Sequence, residues 1–203
     1  MEQCVRRVYT AWTRDIAFVL DRLTRLNASD SSGRFTGRID VTRVGVFGHS
    51  LGGAVAAQFC HDDSRCKAAI DIDGAPHGTV LTDSMTKPLM FLLSDHSHES
   101  DSTSVQIKQD IQSIYDRVPA DGRQRVAIRG AFHFMFSDDG AVRKSGIVHR
   151  ILRVLGRLGI DPRRQLAVTA YCVHTFFDHY LEGAGGSSYT ISSSLYPEIQ
   201  VLQ

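Results

Sequence analysis

The 203-residue chain is 42% hydrophobic and 22% charged, and its 23 lysines and arginines against 22 aspartates and glutamates give a formal net charge of +1. This composition describes one globular domain, large enough to bury a core without staples, and excludes a disordered or fibrous chain. Balanced charge leaves no electrostatic case for nucleic acid, and the apolar stretches fall far short of the ~20 residues that a bilayer-spanning helix needs. The first residues, Met1-Glu2-Gln3-Cys4-Val5-Arg6-Arg7, lack the basic-then-apolar layout of a signal peptide. Cysteines at 4, 60, 66 and 172 form neither a C-x-x-C pair nor a zinc spacing. Cys60 and Cys66 are close enough in sequence to approach each other, but two buried free thiols are the expectation.

In chain order, apolar residues recur every three or four positions from Val5 to Leu26, which predicts an amphipathic helix ended by the turn cluster Asn27 to Gly37. Short, mostly apolar runs at Val44–Phe47, Ala68–Ile72, Leu89–Leu93 and Val126–Ile128 read as strands. Helices are expected at Leu51–His61, at roughly Val105–Arg117 and within Val142–Leu158. Asp161-Pro162 supplies an N-cap and an N1 proline for a last helix through Leu181. Strands buried on both faces and separated by helices predict an α/β fold with a mostly parallel sheet, spanning residues 1–182. The glycine- and serine-rich stretch after Leu181 makes 183–203 a flexible C-terminal extension.

Gly48-His49-Ser50-Leu51-Gly52 reads G-x-S-x-G between a strand and a helix, the context of a nucleophile elbow. Such a turn holds its serine in a strained conformation with the hydroxyl clear of the backbone, and glycines 48 and 52 are expected to leave room for it. Ser50 is the candidate nucleophile. The Leu51 N–H, at the helix N-terminus, is the candidate oxyanion donor. The plainer reading is a strand-to-helix turn in which Ser50 serves as N-cap.

A serine hydroxyl needs a base and a carboxylate behind that base, in the chain order serine, acid, histidine. Of nine histidines, His133 follows the last strand candidate on a loop at the sheet edge where Ser50 also sits. His49 adjoins the nucleophile, but neighbours on such a turn point apart. Asp71, at the end of one strand, and Asp95, just after the next, both occupy that edge, and the residues alone leave them open as the acid. Asp73 is placed as a cap of the turn Gly74-Ala75-Pro76. Phe132, Phe134, Met135 and Phe136 flank His133 as either an apolar acyl wall or core.

The elbow Gly48–Gly53, the segment Arg65-Cys66-Lys67-Ala68-Ala69-Ile70-Asp71 and the segment Ile128-Arg129-Gly130-Ala131-Phe132-His133 together resemble the plasma-type (group VII) platelet-activating factor acetylhydrolases and related bacterial lipases. These are serine esterases of the α/β-hydrolase fold, and the resemblance runs from about residue 12 to the last helix. It implies Asp71 as the acid and His133 as the base. Asp95 stays the alternative, because some hydrolase branches place the acid after the following strand. The family also carries strands ahead of the first helix and a loop giving a second oxyanion N–H. This sequence has neither, so it is expected to be truncated at its N-terminus, with an open edge on Val44–Phe47 that invites self-association.

The implied activity is hydrolysis of short-acyl carboxylic esters, including lipid or phospholipid esters, without a cofactor, and the resemblance leans to secretion. The contrasting expectation is an impaired fragment that acts as a binding module through its open edge. A metal site in the loop Asp95–Asp101 is the weakest, since acid, serine and histidine are what solvated turns contain.

Overall fold

The computed structural model of the protein describes residues 2–95, 101–137, 159–183 and 191–202. The helix expected within Val142–Leu158 lies outside these residues, as do His96, His98 and His149. Among the described residues, five strands form one sheet in the order β1 (Val44–His49), β2 (Cys66–Ile72), β3 (Leu89–Leu93), β4 (Arg123–Ile128), β5 (Ile199–Val201). The first four run parallel and β5 runs antiparallel to β4. Helices α1 (Glu2–Ala28), α2 (Leu51–Asp62), α3 (Ser102–Arg117) and α4 (Pro162–Glu182) cover the sheet.

Alternation along the strands sets which helix each residue meets. Ala68, Ile70 and Ile72 of β2, with Met90 and Leu92 of β3, pack against Val168, Cys172 and Phe176 of α4. Ala69, Leu89 and Phe91 face the other way, into a core built with α1, α2 and α3 through Leu20, Phe59 and Ile114. Both faces are therefore apolar, which is why these strands read as continuous hydrophobic runs. Asp161 caps α4 by accepting from the Arg163 and Arg164 N–H groups, with Pro162 in the first turn, and the helix ends at Gly183 with φ +60°.

Helix α1 is less covered than its periodicity implies. Tyr9 and Leu20 are buried, whereas Trp12, Phe18 and Val19 are 45–67% exposed. On the other face of the sheet, Phe47 of β1 is exposed beside Phe177 of α4, and among the described residues β1 pairs on one side only, with β2.

Two expectations need correction. The chain after α4 is not a loose extension throughout. Ile191 and Ile199 enter the α4-side core, β5 pairs with β4, and Arg164 Nε donates to Glu198 Oε1 at 2.9 Å. Two apolar residues that match the exposed edge of β4 outweigh the flexible composition before them. Nor are Cys60 and Cys66 free thiols: they form a disulfide, with Cα atoms 5.0 Å apart. The short connection Asp63–Arg65 folds the start of β2 back against the end of α2, which brings the two side chains together. Cys172 is a buried free thiol.

A crosslink closing so short a loop contributes ~2 kcal/mol in the chain-entropy account. The Cys60→Ser/Cys66→Ser double variant is thus expected to unfold at lower urea concentration than the wild type by about that free energy, while keeping its circular-dichroism spectrum.

Candidate active site

Strand β1 turns into α2 without an intervening residue beyond Ser50, whose φ is +59° and ψ −128°. Few non-glycine residues adopt a positive φ. The conformation is fixed on both sides: Ser50 N–H donates to Ile72 O at 2.8 Å, and Ser50 O accepts from Gly53 and Ala54 N–H. The Ser50 side chain makes no capping bond to α2, so the plain N-cap reading does not describe it.

Glycine is needed here at positions that differ in part from the expected pair. A Cβ at Gly48 would lie 2.5 Å from the Gly52 backbone, but one at Gly52 would meet nothing within 4 Å. The second tight position is Gly53, where a Cβ would stand 2.2 Å from Asp71 Oδ1 and 2.7 Å from Gly48 O. The crossing of α2 over β1 and β2, and not the serine turn alone, sets the requirement.

His133 opens a 3-10 turn, His133–Phe136, after β4. Its Nε2 lies 3.0 Å from Ser50 Oγ and its Nδ1 2.8 Å from Asp73 Oδ2. The Asp73 side chain is 1% exposed. It also accepts from the Ser94 N–H at Oδ1 and from the Ser94 hydroxyl at Oδ2, each at 2.8 Å. Sequence and geometry thus bring Ser50 and His133 together, and a carboxylate behind them.

That carboxylate is Asp73, and neither Asp71 nor Asp95 touches the imidazole. Asp71 lies inside β2 on the face that α2 covers, so its side chain points under the helix, where Oδ1 accepts from Gly74 N–H at 2.8 Å. Asp73 stands beyond the strand end with φ +54°, which swings its carboxylate out over the sheet edge toward His133. The expected roles are exchanged: Asp71 caps the turn and Asp73 reaches the histidine. Asp95 braces the loop that carries His133, since its Oδ2 accepts from Gly130 N–H at 2.9 Å and its own N–H donates to Ala131 O at 2.9 Å.

Ser94 and Tyr9 were not singled out by sequence reasoning, and His49 was set aside as pointing away from the site. Ser94 gives Asp73 two donors; a polar residue directly after an apolar strand was the available signal. His49 packs against His133 with ring centroids 4.6 Å apart and planes tilted by 43°, and burial holds its pKa below the usual histidine value. Tyr9 of α1 contacts both Ala54 O, at 2.9 Å, and His77 O, tying the loop after β2 to the helix layer. Burial raises the pKa of that phenol.

Ser50, Leu51, Asp73 and His133 line a cavity of about 260 Å³. Leu51 is the first residue of α2, so its N–H has no acceptor within the helix and is free to meet an anion. The apolar side of the cavity comes from Leu93, Ile107 and Ile111, with Lys108 and Ser104 at hand on α3. Phe132, Phe134, Met135 and Phe136 do not line it. Phe134 is 82% exposed and sets its ring edge on His133, while Met135 and Phe136 pack on the α4-side core. Residues 96–100 of the loop considered for metal lie outside the described residues, Asp101 caps α3, and no cluster of three metal-ligating side chains occurs among the described residues.

The model of a family described as platelet-activating factor acetylhydrolase, isoform II, matches residues 22–184. The chain belongs to this family. A probable 1-alkyl-2-acetylglycerophosphocholine esterase of Arthroderma benhamiae is 27% identical over 173 residues, covering 79% of this chain and 43% of its own length. The platelet-activating factor acetylhydrolase of Cavia porcellus is 29% identical over 104 residues, 50% of this chain and 22% of its own length. Among solved structures, the ferulic acid esterase of Streptomyces cinnamoneus superposes with a TM-score of 0.76 at 27% identity, covering 97% of this chain and 55% of that one. The α/β-hydrolase fold is as expected. The chain spans about half or less of the length of these relatives.

The glycine contacts predict a contrast within α2. Gly53→Ala forces backbone apart and is expected to cost ~1–3 kcal/mol as overpacking. Gly52→Ala meets open space and is expected to be neutral or stabilising by up to about 1 kcal/mol, through helix propensity. Urea-unfolding midpoints of the two variants decide it.

Proposed function

We propose that the protein is a serine hydrolase of carboxylic esters, with Ser50 as nucleophile, His133 as general base and Asp73 as the carboxylate that orients it. The observation that carries this reading is the unbroken chain of hydrogen bonds from Asp73 through His133 to Ser50, at 2.8 and 3.0 Å. With Asp73 accepting from Nδ1–H, the imidazole lone pair sits on Nε2, facing the serine hydroxyl. Ser50 Oγ attacks the ester carbonyl and its proton passes to Nε2. The Leu51 N–H meets the oxyanion of the tetrahedral intermediate. As the intermediate collapses, the leaving alcohol takes the proton from His133 and the acyl group stays on Ser50. Water, deprotonated by the same Nε2, attacks the acyl-enzyme and releases the carboxylic acid and the free serine.

Short acyl groups are the favoured substrates. A cavity of about 260 Å³ walled by Leu93, Ile107 and Ile111 suits an acetyl or butyryl chain. The acetylglycerophosphocholine ester in the name of one relative points the same way. Lipid or phospholipid acetyl esters are the class proposed for this chain.

Fluorophosphonate labelling tests the reading. Ser50 is expected to be labelled in the wild type and unlabelled in Ser50→Ala and His133→Ala. Asp73→Asn is expected to lower kcat on p-nitrophenyl acetate by ~10³–10⁴-fold, as loss of the orienting carboxylate does in such triads. Folded wild-type protein that neither labels nor hydrolyses acetyl, butyryl or longer esters overturns it.

The side of β1 that is unpaired among the described residues supports a second, compatible reading, in which two copies pair through this edge. Phe47 presents exposed apolar surface there. Light scattering is expected to give a concentration-dependent dimer that Phe47→Asp abolishes; a wild type that stays monomeric at high concentration refutes it.

A further inference from the structure

A second carboxyl stands two residues before Asp73. Asp71 is fully buried, its Oδ1 takes the Gly74 N–H, and its buried Oδ2 has no hydrogen-bond partner among the described residues. Two glycines make its room: a Cβ at Gly53 would lie 2.2 Å from Oδ1 and one at Gly74 2.3 Å. The Asp71–Gly74 bond spans Asp73, the residue held at φ +54°. A side-chain oxygen that accepts an N–H three residues on stabilises just such a turn.

We propose that Asp71 is a positioning residue: by holding the turn around Asp73 it aims the Asp73 carboxylate at His133 Nδ1. This rests on the roles given above to Ser50, His133 and Asp73. The acceptor is what the turn needs, and a negative charge is not. Burial, with the Asp73 charge adding to it, lifts the Asp71 pKa to about 8 against the pull of the Gly74 hydrogen bond. Among the described residues, the titratable groups that face it are Asp73 and, from α1, Tyr9. Its strand neighbours are Gly48 and Phe91, and α2 presents Gly53. At neutral pH the site therefore holds one buried negative charge.

Ionisation above pH 8 places a second negative charge in a buried site where Asp71 Oδ2 has no hydrogen-bond partner among the described residues, which strains the turn that aims Asp73. The same group affects stability. The native state holds a proton on Asp71 that the unfolded chain releases near pH 4, so stability declines as pH rises from about 4 to about 8 and is flat in this group above that. Asparagine keeps the acceptor and resembles the neutral acid.

The test compares wild type, Asp71→Ala and Asp71→Asn by kcat and KM on p-nitrophenyl acetate from pH 6 to 10. Alongside, proton NMR follows the downfield His133 Nδ1–H resonance, assigned by its absence in His133→Ala. Asp71→Ala is expected to lose kcat by about ten-fold or more with KM within about two-fold, and to lose the resonance, because it removes alignment and not substrate contacts. Asp71→Asn is expected to keep the resonance and kcat at pH 7 within about three-fold, and to stay level above pH 8 where wild type declines. Wild-type kcat in Asp71→Ala, equal impairment of both variants at pH 7, or a wild-type alkaline decline in Asp71→Asn each overturns the proposal. Should Asp71→Ala fail to fold, the two Asp71→Asn comparisons decide alone. A wild type that neither labels nor turns over refutes the esterase reading, while the resonance in the variants still decides on Asp71.

Discussion

Two non-glycine residues with positive φ stand side by side where β1 and β2 end. Ser50 and Asp73 are the non-glycine residues of this kind among those described, and the parallel register that pairs Gly48 with Asp71 and His49 with Ile72 sets them next to each other. Each such conformation costs ~1–3 kcal/mol, so it persists only where the surroundings over-determine it. Here the surroundings do. Ser50 N–H is held by Ile72 O, Asp73 N–H by Leu92 O, and α2 lies so close over both strands that two glycines are required.

The third side chain arrives from a different direction and needs its own support. His133 follows a glycine at φ +73°, and that loop is tied back to the end of β3 by both backbone and side chain of Asp95. Ser94, one residue earlier, holds Asp73. A pair of adjacent residues after β3 thus fixes the distance between the carboxylate and the imidazole. The tilted contact with the His49 ring leaves His133 little freedom to rotate away. Such support from rigid element ends is what keeps reacting groups aligned to within tenths of an ångström.

The strands, the helices and the Ser50–His133 pairing were legible because each leaves a local signature: apolar runs, an Asp-Pro start, a strand followed at once by a helix. The choice of acid was not. Asp71 and Asp73 share a strand face by alternation, and only the reversal of φ at Asp73 separates them, a property that depends on Gly74, Gly53 and the overlying helix together. Gly52 misled for a related reason, since the motif shows spacing but not which glycine the helix crosses. The disulfide was weighed and set aside, and β5 was missed, because each depends on a partner brought near by the fold: Cys66 by the reversal after α2, and Ile199 by the free edge of β4.

The strands lie across the sheet in the order in which the chain makes them, so Ser50, Asp73, Ser94 and His133 leave successive strands at one rim. The turns at the opposite rim, Asp63–Arg65 and Pro119–Gly122, stand a strand length away, roughly 20 Å for six residues. A fluorophore, an immobilisation tether or a grafted epitope attached there reads out or anchors the molecule while leaving its chemistry alone.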